Sequence, residues 1–155
     1  MSKKIIHIVC LLFLSFSVLG QDKDVIPKGI NKIIFNTNLS EKENIKSIVR
    51  VLKENDYTIQ KIDSISFQIE TSPKNISSYT YTILFNIFER KISISSRYNS
   101  NMGVQVGILT INDGGNDVIT TKGKNSIQNI IFRKMKGLVL ELVDETQIQY
   151  NIVSK

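Results

Sequence analysis

The strongest constraint on the fold is a long stretch of chain in which apolar and polar residues alternate. Between positions 79 and 87, tyrosine, isoleucine and phenylalanine occupy the odd positions, and threonine, leucine and asparagine occupy the even ones. The same period of two runs through 64–70, 92–95 and 104–108. Successive side chains of a β-strand point to opposite faces, so the pattern predicts strands. Because the second set is rich in hydroxyls and amides, we expect an antiparallel sheet covered on one side only.

Turn signals divide this region into separate strands. Turns are expected at Pro-Lys-Asn (73–75) and at Glu-Arg (89–90). The sequence Asn-Asp-Gly-Gly at 112–115 is typical of a tight hairpin, because such turns require the positive φ that glycine tolerates, and 118–121 is then the return strand. An apolar run at 30–36 predicts a first strand, while the alternating tail at 146–155 either adds a strand or frays.

Two segments carry the spacing of amphipathic helices. Ser40 and Glu43 form a capping box, in which the hydroxyl and the carboxylate each satisfy a free backbone N–H. Behind it, apolar residues recur at helical spacing until Asn55. Ser126 opens the second helix, whose polar face carries Arg133, Lys134 and Lys136. The apolar stripes comprise Ile45, Ile48, Val49 and Leu52 in the first helix, and Ile127, Ile130, Ile131, Met135, Leu138 and Leu142 in the second.

The order strand, helix, strands, helix determines the expected fold class. Two amphipathic helices must cover the single apolar face of the sheet. We therefore predict an α+β two-layer sandwich, with an antiparallel sheet of about five to six strands and two helices packed on one face.

The first residues have the pattern of a secretory signal peptide. Lys3 and Lys4 precede an apolar run from Ile5 to Leu19, and the polar run that begins at Gln21 follows Gly20 directly. We expect 1–20 to be a cleaved signal peptide, 21–28 a flexible lead-in and 29–155 a single α+β domain. No transmembrane segment is then expected after cleavage. Removal of Lys3 and Lys4 lowers the formal charge from +6 to about +4.

The residue inventory of the expected mature chain excludes several chemistries. The single His and the single Cys of the sequence, His7 and Cys10, both lie in the leader. Nucleophilic catalysis of the Ser–His or Cys–His type is therefore excluded, as are zinc sites built from those ligands. We expect a non-enzymatic protein without a cofactor. An exported domain without disulfides indicates the envelope of a Gram-negative bacterium, with the protein periplasmic or extracellular.

Part of the chain resembles a known group of envelope proteins. Leu-Lys-Glu-Asn-Asp-Tyr-Thr-Ile at 52–59, Asp63, and Ser-Phe-Gln-Ile-Glu-Thr at 66–71 are similar to small bacterial envelope proteins of the TBP-like and helix-grip type. The helix-grip lipoprotein of the outer-membrane barrel-assembly machinery has a similar order of elements. The present sequence lacks that protein's lipid-attachment cysteine and the glycine between helix and strand. The resemblance carries no catalytic signature and implies a binding or scaffold module.

Three groups of residues are candidates for binding sites. Asp113 and Asp117 supply oxygen ligands for a weak calcium site, although a hairpin turn explains the same residues and the spacing differs from an EF-hand. Tyr79 and Tyr81 either line an apolar ligand pocket or pack in the core, and such alternation favours the core. The basic residues are either a solvated surface or a patch for an anionic partner, comprising Lys122, Lys124, Arg133, Lys134 and Lys136.

Two functional hypotheses are favoured after these exclusions, and a third, an enzyme that would use carboxylates, Lys or Tyr, is the least favoured by the residue inventory. In the first, the protein is an exported, non-enzymatic binding or scaffold module whose envelope partner contacts the sheet edge or its Ser/Thr-rich face. In the alternative, it carries an apolar small molecule between the sheet and the C-terminal helix. Neither hypothesis involves nucleic acid, because nucleic acid is not an expected partner outside the cytoplasm.

Overall fold

The structure is a computed structural model that describes residues 26–100, 104–106, 109–111, 117–123 and 125–153. The predicted signal peptide and the predicted hairpin turn at 112–115 lie outside the described residues, whereas the predicted return strand at 118–121 is described and only Val118 of it belongs to a strand. For Ser100 and for the strand residues between 104 and 117, only the backbone is described.

The described residues form an α+β sandwich of one antiparallel sheet and two helices, as the sequence predicts. The main sheet has the strand order β10-β1-β6-β5-β3-β2, and the short strands β4 and β9 pair with β5 and β6. In chain order the elements are β1 (Ile30–Asn36), α1 (Glu41–Glu54), β2 (Ile59–Asp63), β3 (Gln68–Thr71), β4 (Lys74–Ile76), β5 (Tyr79–Phe88), β6 (Lys91–Ser100), β7 (Val104–Val106), β8 (Leu109–Ile111), β9 (Asp117–Val118), α2 (Ile127–Leu140) and β10 (Ile148–Ile152). Strands β7 and β8 pair with each other in a separate two-stranded sheet.

The long hairpin of β5 and β6 is the centre of the sheet. Its two strands pair without interruption from Phe88 opposite Lys91 to Tyr79 opposite Ser100. The turn between them places Glu89 at φ 50°, in the left-handed region. Because side chains alternate along each strand, this register puts the apolar residues of both strands on one face.

The C-terminal tail adds a strand to this sheet. Strand β10 pairs antiparallel with β1, with Tyr150 opposite Ile33 and Ile148 opposite Phe35. The main sheet therefore has eight strands among the described residues, rather than the predicted five to six. The additional strands are short segments that sequence periodicity does not resolve, together with this tail.

The helices begin where the sequence predicts. The Ser40 N–H donates to Glu43 Oε2 at 2.9 Å, and the Glu43 N–H reaches Ser40 Oγ at 3.4 Å, which confirms the capping box. The side chain of Ser126 accepts the N–H of Asn129 at 3.2 Å at the start of α2. Both helices pack on the same side of the sheet, where they share one hydrophobic core with it.

The core is built from alternate residues of the strands and one stripe of each helix. Its largest fully buried side chains are Tyr81, Phe35, Phe85, Phe132, Ile30, Ile33, Ile48, Leu52, Ile69, Ile83, Ile87 and Ile92. A buried threonine connects the start of β1 to the segment after β9. Thr121 Oγ1 accepts the Ile30 N–H at 2.9 Å and donates to the Pro27 carbonyl at 2.7 Å.

Two local predictions were wrong. The alternation at 64–70 was expected to form one strand, but 64–67 is the turn of the β2–β3 hairpin and Ile65 is 90% exposed. The Asp63 carboxylate accepts the N–H groups of Ile65 and Ser66, both at 3.0 Å, so a side-chain–backbone turn replaces strand pairing. The turn expected at 73–75 lies instead at 77–78, where Ser77 has φ 53°, because 74–76 pairs with β5 as β4.

Candidate functional site

The face of the sheet opposite the helices carries many hydroxyl and amide side chains. We call it the outer face. Because neighbouring positions in a strand point to opposite sides, each outer residue is adjacent in sequence to a residue of the opposite face. The outer face comprises Lys32, Ile34, Asn36, Lys61, Asp63, Gln68, Glu70, Thr80, Thr82, Leu84, Asn86, Phe88, Lys91, Ser93, Ser95, Arg97, Gln149 and Asn151.

One line of residues crosses all six strands of the main path on this face. We call it the outer row: Gln149, Ile34, Ser93, Asn86, Gln68 and Asp63. Each member is the registered partner of the next in the neighbouring strand. Neighbouring strands lie about 4.8 Å apart, so the row presents hydrogen-bonding groups at regular intervals. Ile34 is its single apolar member, and Asp63 at the β2 edge is its single charged member.

A second line runs parallel to the outer row. Ser95 lies opposite Leu84, which lies opposite Glu70, and Glu70 in turn faces Lys61 on the edge strand β2. Opposite charges in facing positions stabilise a strand pair modestly. Lys61 Nζ also lies 3.6 Å from the carboxylate of Asp63 on the same edge strand, and Arg97 is exposed farther along β6.

Neutral hydrogen bonding predominates at the centre of the outer face. Apart from Ile34 and Leu84, its central side chains are hydroxyls and amides, which both donate and accept hydrogen bonds without a large desolvation cost for charge. Among the described residues, Ser93 and Ser95 have no histidine or cysteine partner, since the sequence has neither after Cys10. Among the described residues no group of three or more acidic, His or Cys side chains is arranged to hold a metal ion. This surface is suited to recognition of a polar partner.

The two tyrosines considered as a ligand wall lie in different surroundings. Tyr81 is 2% exposed, and its hydroxyl is 3.0 Å from the hydroxyl of Tyr57. Tyr79 is half-buried and its ring lies 5.9 Å from that of Tyr98. Burial, followed by the hydrogen bond with Tyr57, raises the pKa of the Tyr81 hydroxyl. Burial also raises the pKa of Tyr57.

A lysine holds this tyrosine pair against the end of α1. Lys74 Nζ lies 4.2 Å from the centre of the Tyr57 ring and donates to the Asp56 carbonyl at 3.2 Å. It thus combines a cation–π contact with capping of the carbonyls at the helix C-terminus. Sequence reasoning missed this cluster, because nothing in the local pattern links Lys74 with Tyr57.

The predicted basic patch is only partly assembled. Lys122, Arg133 and Lys134 are exposed, whereas Lys124 lies outside the described residues. Lys136 Nζ pairs with the Glu145 carboxylate at 2.7 Å, and its side chain is 12% exposed. Of the calcium candidates, Asp113 lies outside the described residues, and Asp117 belongs to β9 opposite Tyr98, without a described side chain.

A small cleft lies where the C-terminal end of α2 meets α1 and the sheet. Its volume is about 210 Å³, and its apolar wall is formed by Phe35, Ile48, Ile92, Leu142 and Val143. Asn44 and Thr37 lie at its polar side, where the Thr37 hydroxyl donates to Asn44 Oδ1 at 2.9 Å. Small-molecule sites usually occupy about 300–1,000 Å³, so this cleft is below the usual size. Sequence reasoning placed an apolar site between sheet and helix but did not locate this cleft.

Comparisons with known proteins add no family to these observations: no protein-family model matches the chain, and a search of curated proteins finds no match. Neither helix of the described part has the length and hydropathy that a membrane-spanning helix needs.

Proposed function

We propose that the protein is an exported, non-enzymatic binding or scaffold module of the bacterial envelope, and that an envelope partner docks on its outer face. The signal-peptide pattern of 1–20 supports export, and the resemblance of 52–71 to helix-grip envelope proteins supports the location. The outer face is the surface that contacts the partner in this proposal.

The observation that carries this proposal is the continuity of the outer row. Its hydroxyl and amide members lie on β10, β6, β5 and β3, with Ile34 of β1 between them, while the core that the sheet shares with the helices is on the opposite face. Small neutral side chains such as Ser93 and Ser95 lose little conformational entropy when they are covered. A partner that supplies matching donors and acceptors can therefore bind without burying unpaired charge.

A cysteine-protection experiment tests whether this face is covered in the cell. In a Cys10→Ser background, Ser95→Cys introduces a single thiol at the centre of the outer face with little change of volume. We expect slow labelling by a membrane-permeant maleimide in intact cells and fast labelling of the purified protein. The measurement is the labelled fraction over time, which is independent of the identity of the partner.

The matched control places the thiol on a surface outside the proposed interface. Lys46 is exposed on α1, so Lys46→Cys should label equally fast in cells and in purified protein. Equal labelling of the Ser95→Cys variant in both settings would contradict the proposal. Slow labelling of both variants in cells would indicate poor access of the reagent, and denaturation before labelling corrects for that.

The small cleft favours a second candidate, a carrier of an apolar small molecule between the sheet and the C-terminal helix. Its wall is mainly apolar and its floor is the core itself. Native mass spectrometry of protein recovered gently from its own envelope fraction tests this function. A carrier retains the added mass of a ligand, and Leu142→Trp, which fills the cleft, removes that mass. A bare mass for the unmodified chain would contradict the carrier.

A further inference from the structure

The two edges of the main sheet differ in how well they are protected from another strand. The edge strand β2 carries Lys61 and Asp63 and has a register irregularity between Ile59 and Lys61, which are common devices against edge pairing. The opposite edge strand β10 has no charged residue, no proline and no glycine. Its C-terminal end is apolar and exposed: Ile152, which lies opposite Ile30 of β1, is 59% exposed, and Val153, which follows the strand, is 46% exposed.

Within the described part of the chain, only β1 pairs with β10, and the hydrogen-bonding groups on the other side of β10 can be assigned. The Val153 N–H donates to the Gly29 carbonyl at 2.9 Å, so it points towards β1. The N–H of Ile148 donates instead to the Glu145 carbonyl in the preceding turn. Backbone groups alternate along a strand, so those of Tyr150 and Ile152 point away from β1. An edge strand with such groups is a template for another strand.

The sequence of β10 is close to a palindrome in residue class. Ile148, Tyr150 and Ile152 alternate with the amides Gln149 and Asn151. An antiparallel pair of identical strands centred on Tyr150 places Ile148 opposite Ile152 of the second copy, and Gln149 opposite Asn151. Apolar residues then meet apolar residues, and amides meet amides. No like charges face each other in this arrangement.

We propose that two copies of the chain associate through β10, antiparallel about a two-fold axis at Tyr150, to form one continuous sheet. In this register the two Tyr150 residues exchange their backbone hydrogen bonds, and each Ile152 N–H reaches the Ile148 carbonyl of the other copy. The exposed Ile152 side chain is covered by the second copy. A two-fold interface must be self-complementary, and β10 meets that condition within a single strand.

This dimer does not depend on the proposed function, although it would extend the outer row across the two-fold axis. Gln149 is the end of the row in one copy and lies opposite Asn151 of the second copy, so the two rows meet with an offset of two residues. A partner with two equivalent contacts would then gain from both copies at once.

Sedimentation velocity of the protein that remains after signal-peptide cleavage tests the dimer. The protein concentration should reach about 100 µM, because small interfaces are often of micromolar affinity. We expect a reversible monomer–dimer equilibrium. The combined Gln149→Lys and Asn151→Lys substitutions put like charges opposite each other on both sides of the axis. They should weaken dimerisation about tenfold or more. A monomer at every concentration for the unmodified chain would overturn the proposal.

Single and complementary variants test the antiparallel register. Gln149→Lys alone faces the neutral Asn151 of the second copy, so it should retain the dimer, whereas a parallel pairing would bring the two lysines together. Mixing the double-lysine variant with the corresponding double-glutamate variant should restore a heterodimer. The control, Gln60→Lys on the β2 edge, should dimerise like the unmodified chain, and circular dichroism confirms that each variant is folded. If Gln60→Lys lost the dimer to the same extent as the double-lysine variant, the contact could not be specific to β10, and the proposal would be contradicted.

Discussion

The two faces of the β5–β6 hairpin are made of alternating residues of the same strands, yet their surroundings differ completely. Phe85 and Ile94 are fully buried against the helices, whereas Asn86 and Ser95, each the next residue in sequence, are only partly buried. The comparison shows that the buried contacts that stabilise the fold lie mainly on one face of the hairpin. The other face can then vary or bind a partner with little consequence for the fold.

The largest expected effect comes from truncation on the inner face. Phe85→Ala removes a fully buried ring from the centre of the core, so we expect the free energy of unfolding to fall by about 3–5 kcal/mol. The neighbouring substitution Asn86→Ala, on the outer face, should change it by about 0.5 kcal/mol or less. Urea denaturation followed by circular dichroism measures both. Similar losses for the two variants would break the comparison, because they would show that the outer face is also packed.

The tyrosine pair tests a polar contact within the inner face. Tyr57→Phe or Tyr81→Phe leaves the other buried hydroxyl without this partner, so each should cost about 1–3 kcal/mol. The double variant removes both hydroxyls and should cost less than the sum of the two single losses. Additive losses in this double-mutant cycle would contradict a direct bond between the two hydroxyls.

The same pair predicts a dependence of stability on alkaline pH. Burial raises the pKa of both hydroxyls, so the unfolded chain releases these protons more readily than the folded one. The contribution to stability is full below the unfolded value of about 10 and is lost as the pH rises through the folded values. The free energy of unfolding should therefore fall above pH 10, and less steeply in the double Phe variant.

Sequence reasoning succeeded where the signal lies within a short segment of the chain. The capping box at Ser40 involves residues three positions apart, and the alternation in 79–87 lies within one strand; both were confirmed. The Ser/Thr-rich face was likewise predictable from β5 and β6 alone. The line of partners across that face was not, because it depends on the register that each turn imposes.

Contacts between distant parts of the chain were beyond the sequence pattern. Strand β10 pairs with β1 across more than a hundred residues, and its own alternation fits a strand or a frayed tail equally well. Tyr57 and Tyr81 meet because α1 and β5 pack together, which no spacing rule encodes. The wrong prediction at 64–67 has a different cause, since the Asp63 side chain competes with strand pairing for backbone N–H groups.

Strand β2 differs from β5 and β6 in that neither of its faces is well covered. Three of its five residues are charged or polar, and Ile62 is 46% exposed. With little burial to stabilise it, this strand depends on the turn that joins it to β3. Hydrogen bonds from the backbone N–H of Ser66, which has the larger effect, and from that of Ile65 lower the pKa of Asp63 to about 2. The stability from this turn is present above the unfolded pKa of about 3.9 and is lost as the pH falls towards the folded value.

The smallest expected effect is therefore local, and hydrogen exchange detects it. Asp63→Ala removes the acceptor for Ile65 and Ser66, so the amides of β2 and β3 should exchange faster, while those of β5 and β6 remain unchanged. Asp63→Asn keeps an oxygen acceptor without the charge, so it should restore most of the protection and remove its dependence on pH between about 4 and 2. Equal acceleration in all four strands would mean that the hairpin opens only with the whole sheet. In that case the edge and the covered inner face would share one cooperative unit.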